Sequence, residues 1–346
     1  MTGSYFFYYC SNILLFLRSF AMHSRSYYTE LMEEKKTNLK GVIILLITAV
    51  IWGASFVSQS VGAESVEPFT FMAIRTLLGA TFLLPFIIVR DKIQSKNMTK
   101  EELFIRKRQN KKTLFYGILV GIFLACATNI QQYAFNYSTA GKIAFITAIY
   151  MFFVPIAGIF MKKKIPLVTW ICVFFGFVGL YLLCFKNEEN FVVNRGDVLT
   201  VFCALFFTGQ ILLIERFAKK CDGIKLSCVE FYTAGLITLI LMLIFNHPEW
   251  EKIKECAPSI LYSGIMSCGV AYTLQVVGQK YCEATVACLI MCMESVFAVL
   301  SAAIFLHEML TPREISGCAV MFMAIVISQI SDSIRSKKNG GVLPEA

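Results

Sequence analysis

At 346 residues, 57% hydrophobic and only 16% charged, against about 25% charged in ordinary soluble domains, the chain reads as an integral membrane protein and not a soluble enzyme. The formal net charge of +9 comes from basic residues in short clusters between apolar spans, so they act as topology signals and give no support to a nucleic-acid partner. The 13 cysteines lie mostly inside apolar spans, with no C-x-x-C pair and no His-rich spacing, and read as small packing residues rather than disulfide, redox or metal groups.

Residues 1–40 form an expected cytoplasmic N-terminal tail. They carry a short aromatic run, Tyr5 to Phe20, below the about 20 apolar residues that a bilayer span requires. Met32, followed by EEKKTN, makes a charged start directly before the first span, with Met22 a second candidate. Residues 1–31 are therefore read as an over-extended translation start, in preference to a targeting segment or an interfacial helix. Ten apolar spans follow, at about 41–61, 69–89, 113–136, 138–161, 166–185, 197–217, 226–246, 257–279, 283–306 and 312–331. Their connections are short except for residues 90–112, and residues 332–346 form a cytoplasmic C-terminal tail.

Orientation follows from the distribution of Lys and Arg. With the N-terminus inside, 25 of the 32 basic residues fall in cytoplasmic segments and only 5 in outer loops, the other two being Arg75 and Lys142 within spans. Both termini are expected in the cytoplasm.

Sliding the chain by 144 residues sets Gln131 on Gln275, Tyr137 on Tyr281, Ala140 on Ala284 and the Lys164 turn on the Glu308 turn. A slide of 155 sets Gly41 on Gly196 and the Trp52–Ser55 segment on Phe207–Gln210. The expected organisation is two homologous five-helix repeats, 41–185 and 196–331. An odd number of spans per repeat inverts the second half in the membrane and places a site at the midplane between halves, as in many secondary transporters.

The segments WGASFV, PFTFMAIRTLLGA, AGKIAFITAIYMFFVPIAGIFMKKKIP, GDVLTVFCALFFTGQ and MESVFAVLSAAIFLHEMLTPREISG resemble the EamA branch of the drug/metabolite transporter superfamily over roughly residues 40–331. The resemblance implies an all-α, ten-helix, inverted-repeat carrier, commonly an exporter of amino acids or other small metabolites. Where the family often has Pro after the glutamate of the ninth span, this chain has Ser295, so a less kinked helix is expected there.

Glu294 lies about twelve residues into the ninth span, near the bilayer centre. A carboxylate at that depth costs about 2.5–3.5 kcal/mol on insertion scales and normally faces a protein interior or wet cavity. It is either a proton-coupling or substrate-amine group, or a structural carboxyl that ties helices. Arg75, seven residues into the second span, either anchors by snorkelling or pairing, or binds a substrate carboxylate. Lys142, near the outer end of the fourth span, is expected to snorkel to water, with substrate contact the alternative. Gln131, Gln275, Asn129 and Gln210 either meet a polar solute or tie helices together. Trp52, Tyr133 and Tyr150 either wall a cavity or pack. Gly117-x-x-x-Gly121 reads as an intramolecular packing face, Pro155 as a kink in the fourth span. Glu215 and Glu230 are expected at cytoplasmic helix ends, solvated or paired with Arg216 and Lys225.

An intramembrane enzyme requires a convergent nucleophile or metal set, and His23, His247 and His307 all lie outside span centres. No G-x-x-x-x-G-K-[ST] loop is present to bind ATP. The expected protein is a secondary transporter in the plasma membrane, without cofactor or metal. It would move a small polar metabolite by alternating access, with export as the direction and protons coupled through Glu294. The alternatives are an exchanger without proton coupling and a non-transporting scaffold or sensor. Its expected partners are the lipid bilayer, the small-molecule substrate and protons.

Overall fold

In the computed structural model, the described residues are 39–96, 98–138, 140–163, 165–184, 194–305 and 311–339. The N-terminal tail up to Asn38, the turn at Glu308 and the last seven residues lie outside them.

The helices are α1 (Leu39–Ser65), α2 (Pro68–Ser95), α3 (Lys100–Ala134), α4 (Ala140–Thr147), α5 (Tyr150–Phe160), α6 (Leu167–Cys184) and α7 (Arg195–Phe217). They continue with α8 (Gly223–Phe245), the short α9 (Trp250–Glu255), α10 (Ala257–Gly278), α11 (Ala284–Met291), α12 (Met293–Phe305) and α13 (Pro312–Asn339). Among the described residues, nine helical segments are long and apolar enough to cross a membrane, with α4–α5 and α11–α12 each forming one broken segment. The expected tenth span, 312–331, lies within α13, which packs along α6.

The capping residues explain where several helices start. Pro68 opens α2 at its first turn, where a missing N–H costs nothing. Thr99 and Glu102 form a reciprocal capping box at the start of α3, and Asn194 and Asp197 another at α7. Asp222 accepts from the Ile224 and Lys225 amides at α8. The expected 90–112 connection is mostly helix: α2 runs on to Ser95 and α3 begins at Lys100. This stretch is polar yet rich in the strong helix formers Lys, Arg, Gln and Glu, so the helices continue past the apolar segments that hydropathy detects.

Of four apolar clusters in the interior, two meet at its centre. One gathers Leu45, Met151, Leu180, Leu289 and Met321 from α1, α5, α6, α11 and α13. The other gathers Ala80, Leu124, Phe231 and Tyr272 from α2, α3, α8 and α10. Trp52 and Phe207 pack against both. Glycine lets α3 approach α8 closely: a Cβ at Gly117 would lie 2.6 Å from Val229, and one at Gly121 2.6 Å from the Glu230 carbonyl. The Gly117-x-x-x-Gly121 face is thus an intramolecular contact.

Two departures from regular helix shape the centre. The fourth span breaks at Ala148–Ile149, and the ninth breaks at Cys292. The ninth span is therefore interrupted without a proline, contrary to the straighter helix expected from Ser295, and the break in the fourth precedes Pro155 by six residues. In addition, Tyr262–Ala271 of α10 is π-helical, a form that concentrates at functional sites.

Candidate functional site

The broken helices meet each other. Cys292 Sγ, at the break between α11 and α12, donates to the hydroxyl of Tyr150, the first residue of α5, at 3.5 Å. The two interruptions stand 144 positions apart, so the slide that pairs Gln131 with Gln275 also pairs Ala148 with Cys292 and Tyr150 with Glu294. Breaking a helix leaves backbone groups and side chains free to face a cavity.

A cavity of about 50 Å³ lies beside this junction, between the two apolar clusters. Of the residues singled out from sequence, Trp52, Arg75, Gln131, Tyr150, Gln210, Gln275 and Glu294 line it. Phe56, Gln59, Met72, Thr128, Thr147, Phe207, Ile211, Ser267, Tyr272 and Met291 complete the wall. The volume suits a solute of a few heavy atoms in this conformation, and the wall combines aromatic faces with amide, carboxyl and guanidinium groups.

The ends of the cavity differ. Gly196 at the start of α7 lies against the Ala134 carbonyl at the end of α3, and Gly41 at the start of α1 lies against Gly278 at the end of α10. These contacts place Gln210 and Gln275 toward the face where α1 begins, and Gln131 toward the opposite face. Gln131 donates to Thr147 Oγ1 at 3.0 Å, holding α3 to the end of α4 just before the break. At the other end, Gln210 Nε2 donates to Glu230 Oε1 at 2.9 Å, and Gln275 Nε2 to Gln210 Oε1 at 3.4 Å. Above this layer Tyr272 meets Trp52 edge-on, with ring centroids 4.6 Å apart.

Arg75 is 3% exposed, so it does not snorkel to the surface. Its side chain lies 5.9 Å from the Phe71 ring centroid, and its Nε and Nη1 are enclosed without a hydrogen-bond partner among the described residues. Trp52 Nε1 is likewise enclosed and without a partner there. Glu294 lines the same cavity, and no ion pair joins it to Arg75 among the described residues.

Asn129 and Lys142 do not line the cavity. Asn129 donates to Thr238 Oγ1 at 2.7 Å, tying α3 to α8. Lys142 neither snorkels nor reaches the cavity; its ammonium lies 2.6 Å from Asp197 Oδ2, with the two side chains 11% and 4% exposed. Asp197 also accepts from Ser138 at 2.9 Å, so the pair clamps the start of α7 against the loop before α4. Tyr133 is an exposed residue that stacks on Phe69 and shares a hydrogen bond with Tyr137.

Glu215 pairs with Lys163 and accepts from the Ala284 amide. Sequence reasoning missed Glu230, which is fully buried and bonded to Gln210 rather than solvated. The available signal was the 155-residue slide, which sets Arg75 on Glu230: the second helix of each half carries a charged group at the same register, of opposite sign.

The sequence profile of the EamA-like transporter family matches residues 39–185 and again 194–329. An "Uncharacterized transporter" of Archaeoglobus fulgidus is 26% identical over 289 residues, covering 82% of this chain and 83% of its own length. The "Uncharacterized transporter YwfM" of Bacillus subtilis is 25% identical over 302 residues, covering 86% of this chain and 95% of its own. A solved crystal structure superposes with a TM-score of 0.70 at 12% identity, covering 85% of this chain and 97% of that one, a likeness of fold alone. The chain belongs to the EamA-like transporter family.

Proposed function

We propose that this membrane transporter is a secondary carrier that exports a small polar metabolite, such as an amino acid, by alternating access, with Glu294 coupling movement to the proton gradient. The observation that carries the reading is the meeting of two interrupted helices, at repeat-related positions, beside a cavity lined by Glu294, Arg75 and paired glutamines. Interrupted helices at the junction of two repeats are the setting in which secondary carriers bind solute and coupling ion.

The two profile matches begin 155 residues apart, at 39 and 194, the slide that aligns Gly41 with Gly196. This supports 41–185 and 196–331 as five-helix repeats. An inverted arrangement of ten spans with both termini cytoplasmic is supported by the bias of Lys and Arg, and the plasma membrane is the proposed location. The hydrogen-bonded layer of Gln210, Gln275 and Glu230 lies at the end of the cavity toward the face where α1 begins. Transport would require that layer to part as the opposite end closes. Glu294, at the start of α12 and in the cavity wall, would move with the broken helix and exchange a proton with whichever side the cavity faces.

The test is a thermal-shift screen of the purified protein against amino acids, nucleosides, polyamines and sugars at two pH values. A ligand that binds only the folded state raises Tm by mass action. The reading expects a pH-dependent hit that disappears in Glu294→Gln; a hit whose pH dependence persists in that variant removes Glu294 from the coupling role.

A further inference from the structure

We infer that Arg75 receives a carboxylate of the transported solute, an inference that rests on the carrier reading and names the chemical class its site accepts. A guanidinium carries a permanent charge, and enclosing it away from water is costly unless an anion or several acceptors face it. Arg75 has neither among the described residues. Its side chain is 3% exposed, its Nε and Nη1 lack hydrogen-bond partners, and the ring of Phe71 at 5.9 Å offers only a weak cation–π contact.

Three other buried or half-buried cations each face a carboxylate. Lys142 has Asp197 at 2.6 Å, Lys163 has Glu215, and Lys225 has Asp91 at 2.6 Å. Arg75 alone of these lines the central cavity. Neither nearby carboxyl group pairs with Arg75 among the described residues: Glu230 accepts from Gln210 through Oε1 and has its Oε2 enclosed without a hydrogen-bond partner, and Glu294 shares the cavity wall without forming an ion pair. A planar fork of unpartnered donors on the wall of a cavity of about 50 Å³ matches a small carboxylate, which accepts two parallel N–H bonds and supplies the missing countercharge. The unpartnered Trp52 Nε1 donor on the same wall favours an oxygen acceptor on the remainder of the solute.

The experiment compares acids with their amides on the full-length purified protein. L-alanine and L-alaninamide, L-serine and L-serinamide, and propionate and propionamide are titrated at matched ionic strength, with binding read from the shift in Tm. At least one acid should bind, and bind about ten- to hundredfold more tightly than its amide, the loss expected when a charged hydrogen bond is removed. Arg75→Gln should erase the difference between acid and amide, and Arg75→Lys should restore part of it. Amides that bind as well as acids, an acid preference that survives in Arg75→Gln, or a folded wild-type protein that binds none of the acids would each overturn the inference. If Arg75→Gln does not fold, the acid-to-amide comparison on the wild type and Arg75→Lys decides alone.

Flux of the same probes into proteoliposomes separates this inference from the one beneath it. Transport of amides but not acids ends the carboxylate assignment and leaves the carrier standing. Acids that bind through Arg75 but never cross the membrane end the carrier reading and leave the carboxylate assignment intact.

Discussion

Replacing Gly53 by Ala should weaken the protein and distort its site, and the structure fixes the size of the effect. Gly53 sits on α1 next to Trp52, at the crossing with α12 one turn beyond Glu294. A Cβ there would stand 2.6 Å from Phe297 Cβ and 2.7 Å from the Ala298 amide nitrogen, whereas non-bonded carbons rest at about 3.5–4.0 Å. The obstructing atoms include backbone, which no rotamer change can move, so α1 and α12 must separate by about 1 Å. Overpacking of this kind costs about 1–3 kcal/mol, and the helix propensity of Ala over Gly returns about 1 kcal/mol. A net loss of about 2 kcal/mol is expected from the upper end of that range. Gly176 on α6 is the control: its Cβ would meet Leu289 Cδ2 at 3.4 Å and Met151 at 4.0 Å, so Gly176→Ala should be neutral or slightly stabilising. Unfolding of both variants in the same detergent is the assay. A Gly53→Ala protein as stable as Gly176→Ala would refute the close packing of α1 on α12.

Lys142→Met should destabilise the protein by about 1–3 kcal/mol, because it removes the countercharge of Asp197, whose carboxylate keeps its bonds from Ser138 and the Asn194 amide. Lys142→Arg, which keeps the countercharge and leaves the Asp197 capping box intact, should recover much of that loss, and a denaturation series on the two variants reads the difference. Asn129→Ala removes the bond to Thr238 and should cost only about 0.6 kcal/mol, the mean for interhelical hydrogen bonds in membranes. Because Asn129 lies off the cavity, its variant should keep wild-type substrate affinity, and a large affinity loss would contradict that placement.

How much of this was legible in the chain depends on the range of the interaction. The apolar spans are local properties, and their lengths revealed the helices. The cavity wall was largely visible because Glu294, Arg75 and the glutamines are polar groups in segments that otherwise repel them. Lys142 misled because its countercharge, Asp197, lies 55 positions away across a loop; without that partner in view, snorkelling is the lower-energy expectation. Glu230 misled for the opposite reason. It stands near Lys225 in sequence, but α8 packs against α2 and α3 and its carboxyl meets Gln210 of α7 instead of water. The breaks at Ala148–Ile149 and Cys292 lack any Pro or Gly at the interrupted residues, so no local signal marks them. They arise where tertiary contacts, including Cys292 to Tyr150, outweigh continued helix.

Glu294 is proposed to couple solute movement to protons across a two-sided carrier. The most direct measurement loads proteoliposomes with an isotope-labelled mixture of the common amino acids and follows net flux under an imposed pH gradient, beside exchange without one. The account predicts gradient-driven net flux in the wild type, with Glu294→Gln losing that flux and retaining exchange. Net flux that follows the pH gradient equally well in Glu294→Gln would contradict it.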